Sequence, residues 1–262
     1  MHLSRVLESE VMDDPVQASA YAKADFADVN RKVRRNPRPL GRGQGARMQI
    51  MQSTLEVGES PPFKAGFFNR GFVERFLTRF PGFDRGTVLD LGCGPCDIPI
   101  RLLREVPRCR VVAVDASGPM LAHGRRAVNR NDLAGRIDLV CARVPSMCVR
   151  PGKTFDALVS NSLLHHLPDP EAFWESVKRL VRLGAPLLVM DLARPESEDQ
   201  AREIVRSAAA GEDTILKRDF FRSLLASFTP DEVAAQLEFA GLGHLEVRMV
   251  SDRHWAAAGR IP

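Results

Sequence analysis

The chain predicts an α/β fold: a Rossmann-like, doubly wound sheet of seven strands, mostly parallel with an antiparallel C-terminal strand, and helices on both faces. Three observations carry this expectation. From residue 87 onward, short apolar runs alternate with helical stretches, which implies right-handed crossovers between parallel strands. The first run, Thr87-Val88-Leu89-Asp90-Leu91, ends in an acid and turns through Gly92-Cys93-Gly94-Pro95-Cys96-Asp97 toward a helix start. A turn of that kind lies at the carboxyl edge of a sheet, where ligands of this architecture bind. At 262 residues, with 44% hydrophobic and 27% charged content, the chain can build one large core, or one plus a small appendage.

In chain order, residues 1–31 read as an N-terminal helical cap. Asp13-Asp14-Pro15 is a cap and first-turn signal, Ala-rich spacing follows from Val16 to Val29, and Tyr21, the single tyrosine, lies on this segment. Residues 32–66 form a basic, Gly- and Pro-rich insertion that is expected to be flexible. Deleting Lys32 to Gly71 would join Val29-Asn30-Arg31 to Phe72-Val73-Glu74 as one amphipathic helix, so an insertion into an ancestral helix is the preferred account. The remainder, 67–262, is expected to be the main domain. Its first helix carries Phe68, Phe72, Phe76 and Phe80 at four-residue spacing, a core-packing stripe.

Strands are expected at Val88–Leu91, Arg110–Val114, Ile137–Cys141, Phe155–Ser160, Pro186–Met190, Leu245–Val250 and His254–Ala258. Helices are expected at Ile98–Glu105, Met120–Asn129 and Glu171–Leu183, the last capped by Asp169 with Pro170 in its first position. Residues 197–228 are polar and helical and sit where a cap segment would be inserted. The final helix opens on Thr229, Pro230 and Glu232, a capping box, and stops at Gly241. The last two strands are joined tightly through Ser251-Asp252, so they should pair antiparallel.

Composition removes several function classes. No apolar run approaches the roughly 18 residues of a membrane span, and the first eleven residues carry Arg5, Glu8 and Glu10. The chain reads as soluble and cytoplasmic. Its five cysteines are odd in number and suit reduced thiols better than a disulfide framework. The net charge of +4 arises in residues 31–47, where seven cations and no acid contribute +7 and leave the rest at −3. Nucleic acid is therefore not expected as a partner of the whole fold, and any such reading is confined to that arm.

Asp115 closes the second strand, 21 residues after Gly94. A carboxylate there can accept from both hydroxyls of a ribose, so the glycine turn and the distal acid together point to a nucleoside cofactor. Two details favour S-adenosylmethionine over a nicotinamide dinucleotide. The dinucleotide fingerprint asks for a third glycine where this chain has Asp97. Asp90 would sit badly beside a pyrophosphate but well beside an ammonium and a sulfonium.

On these residues the chain resembles the class I S-adenosylmethionine-dependent methyltransferases, whose first motif is matched by Asp90-Leu91-Gly92-Cys93-Gly94. The likeness covers about residues 85–192. It is nearest to the small-molecule branch typified by ubiquinone and menaquinone biosynthesis methyltransferases, through Asp115-Ala116-Ser117-x-x-Met120-Leu121 and Ser160-Asn161-Ser162-Leu163-Leu164-His165-His166-Leu167. The resemblance implies that Gly92, Cys93 and Gly94 line the methionine part of the cofactor, that Asp90 meets its amino group directly or through water, and that Asp115 holds the ribose. It also implies that Ala116, Met120 and Ala142 surround the adenine and that Asn161 sits near the methionine carboxylate and the transferring methyl. The family's acid after the third strand is replaced by Cys141-Ala142-Arg143-Val144, so adenine recognition there must rest on backbone groups or differ in orientation.

The resemblance implies methyl transfer by in-line displacement to a small-molecule acceptor. The N-terminal helix and the 197–228 segment flank the carboxyl edge of the sheet and are not needed for the core, so they are expected to roof an apolar acceptor pocket. A base is needed only if the acceptor loses a proton. His165, with His166 beside it, and Tyr21 are the candidate catalytic groups. The alternatives are an RNA methyltransferase using residues 31–47 as an arm on phosphates, and a protein that binds the cofactor without turnover. Cys93-Gly94-Pro95-Cys96 matches the thioredoxin-like Cys-x-x-Cys, but that reading explains neither Asp90 nor Asp115. No metal site is expected, since Cys141 and Cys148 repeat no knuckle spacing.

Overall fold

A computed structural model describes residues 3–8, 13–26, 65–144 and 154–262. The basic stretch 31–47 lies outside the described residues, as does all of the insertion except its last two positions. Those two already belong to the helix that was expected to start at 67. Among the described residues the order is α1 (Pro15–Phe26), α2 (Ala65–Arg79), β1 (Arg85–Leu91), α3 (Asp97–Glu105), β2 (Arg108–Asp115), α4 (Gly118–Arg130), β3 (Ile137–Cys141) and β4 (Ala157–Asn161). A 3-10 turn (Leu164–His166) leads to α5 (Pro170–Leu180), β5 (Pro186–Leu192), α6 (Glu198–Ala208), α7 (Thr214–Ala226), α8 (Pro230–Phe239), β6 (Glu246–Met249) and β7 (His254–Arg260).

The seven strands form one sheet in the order β3-β2-β1-β4-β5-β7-β6. Neighbours from β3 to β5 are parallel, and β7 runs antiparallel to both β5 and β6. The expected architecture is therefore present, with β7 as the antiparallel strand. Chain order reverses at β1 and β4, the switch point beyond whose carboxyl ends a crevice opens. β5 is buried along its whole length. A strand covered on both faces and paired on both edges cannot alternate, and its sequence reads as a continuous apolar run.

Alternation along β1 divides the core. Val88 packs with Phe72, Phe76, Ile100, Leu103 and Val128 from α2, α3 and α4 on one face. Leu89 and Leu91 pack with Phe173, Trp174 and Val177 of α5 and Val233 and Leu237 of α8 on the other. By the same period of two, Asp90 points with Val88 into the first layer, where a carboxylate has no structural reason to be. The phenylalanine stripe is core at Phe72, Phe76 and Phe80; the surroundings of Phe68 lie outside the described residues. Each such fully buried side chain contributes about 1.5–3 kcal/mol.

Two boundaries differ from expectation for one reason. Val181 leaves the helical conformation to bridge Phe155. The helix therefore ends at Leu180 instead of Leu183, and β4 begins at Ala157. The capping box of α8 is present, with Thr229 and Glu232 each accepting from the other's backbone N–H and Gly241 in the left-handed region at φ 70°. The last hairpin is tight as expected: Val250 N–H donates to the His254 carbonyl at 2.8 Å.

Candidate functional site

The turn after β1 is built by what its residues can tolerate. Gly92 adopts φ 75°, and a Cβ there would lie 2.9 Å from the Leu163 Cβ. Gly94, at φ 50°, faces open space. Cys96 occupies the left-handed region without being glycine, at φ 69°, and is fully buried. That conformation costs a non-glycine residue about 1–2 kcal/mol. Room for its side chain comes from α4, where a Cβ on Gly124 would meet the Cys96 sulfur at 2.8 Å. The close approach of α4 to the turn thus depends on Gly124. Cys96 is also the N-cap of α3 and makes no side-chain cap bond, so the first N–H groups of α3 lack that partner.

Asp115 ties this turn to the end of β2. Its Oδ2 accepts from Gly94 N–H and its Oδ1 from Ser117 N–H, both at 2.8 Å. Burial raises its pKa, and those backbone donors oppose the rise. Asp90 is more extreme: it is 1% exposed, and neither carboxylate oxygen has a hydrogen-bond partner among the described residues. Burial, reinforced by the charge of Asp115, pushes it up to about 8. An orphaned buried carboxylate of this kind awaits a donor or a cation. Asp97 presents a third carboxylate, its Oδ2 accepting from Arg101 Nε at 2.6 Å and the Asn69 side chain also hydrogen-bonded to it. Burial raises its pKa against the pull of Arg101.

A cavity of about 580 Å³ opens over these groups. Gly92, Cys93, Gly94, Asp97 and Asp115 line its floor, and Ala116, Met120, Ala142 and Arg143 line one end. Asn69, Asn161, Leu163 and His166 lie along the way to the other end, where Leu7 and Glu8 close it, and Tyr21 of α1 also lines the cavity. The segment 3–8 is held as a strap: Val6 N–H donates to the Leu225 carbonyl at 3.0 Å, and Arg5 donates to the carbonyls of Ala226, His165 and Leu167 at 2.6, 3.0 and 2.9 Å. The Arg5 guanidinium also lies 3.9 Å from the centre of the Phe228 ring. The 197–228 segment supports this strap and contributes no lining residue.

His165 lies one layer behind the cavity wall, 2% exposed, with Nδ1 2.6 Å from Asp191 Oδ1. Its N–H donates to Asp191 Oδ2 at 3.1 Å. Burial opposes the charged ring, but the charge and hydrogen bond of Asp191 outweigh it and hold the His165 pKa above its ordinary value. His166 does line the cavity, and burial beside His165 pushes it down to about 3. Between the two histidines stands Glu8, with Oε2 4.0 Å from His165 Nε2 and 3.5 Å from His166 Nδ1.

Of the sequence-predicted residues, Gly92, Cys93, Gly94, Asp115, Ala116, Met120, Ala142, Asn161 and Tyr21 share this one cavity. Asp90 and His165 sit behind its wall. Cys93 and Cys96 face each other at 3.9 Å, but burial raises the Cys93 thiol well above its ordinary value. A thioredoxin-like nucleophile needs the opposite shift. Sequence reasoning missed Glu8 and Asn69; neither belongs to a motif, and only the folded chain brings them to the site.

Residues 88–184 match the family model described as a methyltransferase domain. The chain is 32% identical over 124 residues to a ubiquinone/menaquinone biosynthesis C-methyltransferase of Enterobacter sp. (strain 638), covering 47% of this chain and 49% of that one. The chain therefore spans about half the length of that relative. It is 30% identical over 154 residues to an uncharacterized methyltransferase of Mycobacterium tuberculosis (strain ATCC 25618 / H37Rv), covering 57% of this chain and 73% of the relative. The fold is similar to a SAM dependent methyltransferase from Aquifex aeolicus, with TM-score 0.54 and 22% identity over 72% of this chain and 89% of that one.

Proposed function

The chain belongs to the class I S-adenosylmethionine-dependent methyltransferases, and from that premise we propose that it transfers a methyl group to a small-molecule acceptor. The observation that carries the reading is the pairing of Asp90, buried with both oxygens unpartnered, with the open glycine turn and Asp115 around one cavity. This residue set fits a cofactor that carries an ammonium and a sulfonium beside a ribose. When bound, that cofactor supplies an electrophilic methyl group for in-line displacement.

The chain's own residues then have distinct tasks. Gly92 and Gly94 let the backbone approach with no side chain in the way, and Asp115 accepts from ribose hydroxyls with the lone pairs its backbone donors leave free. Ala116, Met120 and Ala142 give the adenine an apolar slot, and Asn161 and Asn69 stand between the two ends. Leu7, Leu163, Leu167 and Pro168 give the acceptor end its apolar character. Tyr21 lines the cavity and His165 lies behind its wall, and we assign them to the acceptor's proton: Tyr21 by contact, His165 through Glu8 and His166. No membrane-crossing helix occurs among the described residues.

Calorimetric titration with S-adenosylmethionine is the first test, with one molecule bound per chain as the expected outcome. No binding at high micromolar concentration would sink the reading. Release of S-adenosylhomocysteine on addition of metabolite fractions separates turnover from binding alone.

A further inference from the structure

We propose that Glu8, His165 and His166 together hold a divalent transition-metal ion at the acceptor end of the cavity. The catalytic meaning of such an ion rests on the methyltransfer reading, but its binding does not. The three side chains offer ligand atoms within 4.8 Å of one another. Metal–ligand bonds of about 2.0–2.2 Å place two ligand atoms roughly 3–3.5 Å apart. The separations of 3.5 Å and 4.0 Å from Glu8 Oε2 therefore need only a small contraction to close on one ion.

The nitrogens are prepared for this task. Asp191 takes the Nδ1 side of His165 at 2.6 Å, so Nε2 is the nitrogen left facing Glu8, and an ion bound there displaces any proton it carries. Carboxylate, imidazole and metal in series is the usual way such a ligand is oriented. Among the described residues, His165 Nε2 and His166 Nδ1 are both buried without a hydrogen-bond partner, and two orphaned ring nitrogens beside one carboxylate are costly unless something binds them. Glu8 is steadied in turn by the Ser223 hydroxyl, which donates to Oε2 at 2.9 Å. The charges around the cluster are mixed: Asp191 and Asp219 add to Glu8, while Arg5 and Arg222 offset them in part.

Two nitrogens and one carboxylate form a borderline donor set that suits zinc, iron, nickel or manganese better than magnesium or calcium, which favour oxygen. Three protein ligands leave positions open, as catalytic metal sites do and structural ones do not. Glu8 and His166 both line the cavity, so the open side faces the acceptor. An acceptor binding there would do so through oxygen, as a hydroxyl, carboxyl or enol. In that state His165 is a ligand, and easing of the acceptor's proton passes to the ion.

The test uses the full chain after chelator treatment, titrated with cobalt(II) and followed by visible absorption. We expect one cobalt per chain, ligand-field bands of a four- or five-coordinate ion, and their loss on adding zinc. Glu8→Gln and His166→Ala should each weaken cobalt binding at least about tenfold, and Asp191→Asn should weaken it by about 10- to 100-fold by releasing His165. Absence of the bands, or equal cobalt affinity in the wild type and Glu8→Gln, overturns the site. Glu8→Gln is close to isosteric and lies on the strap outside the core layers, so it decides the matter even if a histidine variant fails to fold. S-adenosylmethionine calorimetry on the same preparation reports separately on the proposed function, so either can fail without the other.

Discussion

The two ends of the cavity are built in different ways. At the cofactor end, Asp90, Gly92, Gly94, Asp115 and Met120 come from one strand-turn-helix unit and the next, and the bond that joins them, Gly94 to Asp115, spans 21 residues. At the acceptor end, the Ser223 to Glu8 bond spans 215 residues and Arg5 reaches 160 residues to His165. The first end is fixed by local crossover geometry, whereas the second exists only once the whole chain has closed. Damage at the cofactor end should therefore change affinity for the nucleoside, and damage at the acceptor end should spare it.

The largest effect is expected from Asp115→Ala, which removes ribose acceptors and also releases Gly94 and Ser117. Cofactor affinity should fall by about 1–3 kcal/mol, roughly 5- to 150-fold. An unchanged dissociation constant in calorimetry would move the cofactor elsewhere.

Asp90→Asn should split stability from binding. The Asp90 pKa is raised to about 8, so the folded state favours the proton. Its contribution to stability is complete below the unfolded value near 4 and is lost as pH rises through 8. At pH 8.5 the asparagine variant should be about 1–3 kcal/mol more stable without ligand, yet bind the cationic cofactor more weakly. Wild-type binding at pH 7 should release a proton, seen as a dependence of calorimetric enthalpy on buffer ionisation. No proton release would separate Asp90 from the ligand's charge.

Arg5→Ala tests the other end. It removes three carbonyl bonds and a ring contact from the strap, and should cost about 1–2 kcal/mol of stability and lower turnover. The cofactor dissociation constant should stay within about twofold of wild type, and a larger change would erase the distinction between the ends.

The smallest effect concerns Cys96 and Gly124. Gly124→Ala should destabilise by about 1 kcal/mol through contact with the Cys96 sulfur, and Cys96→Gly should relieve it. Additive melting temperatures across the four variants would show that the two positions do not share space.

The same contrast explains what the sequence made legible. The succession of strands along the chain, the glycine turn and the pairing of that turn with Asp115 follow from periodicity and spacing within about 30 residues, and they were readable; the lateral order of the strands, with β1 beside β4, was not. Asp97 could be seen only as the absence of a third glycine, and the room that Gly124 leaves for the Cys96 sulfur could not be seen at all, because it is a packing relation between two segments 28 residues apart. His165 was singled out as a pocket residue from its place after β4, but the adjacent Asp191 draws it behind the wall and leaves His166 at the surface of the cavity. Glu8 carried no signal. One glutamate near the start of a chain becomes informative only beside the groups it meets.

β5 pairs with β7 so that Asp191 lies opposite Trp255, and Ala193 N–H donates to the Arg253 carbonyl at 2.8 Å. The terminal hairpin therefore acts as a clamp on the carboxylate that aims His165. Substitutions around Ser251 to Trp255, none of which lines the cavity, can tilt that carboxylate by small backbone adjustments. Such changes give evolution a dial for retuning acceptor chemistry while the nucleoside pocket stays untouched.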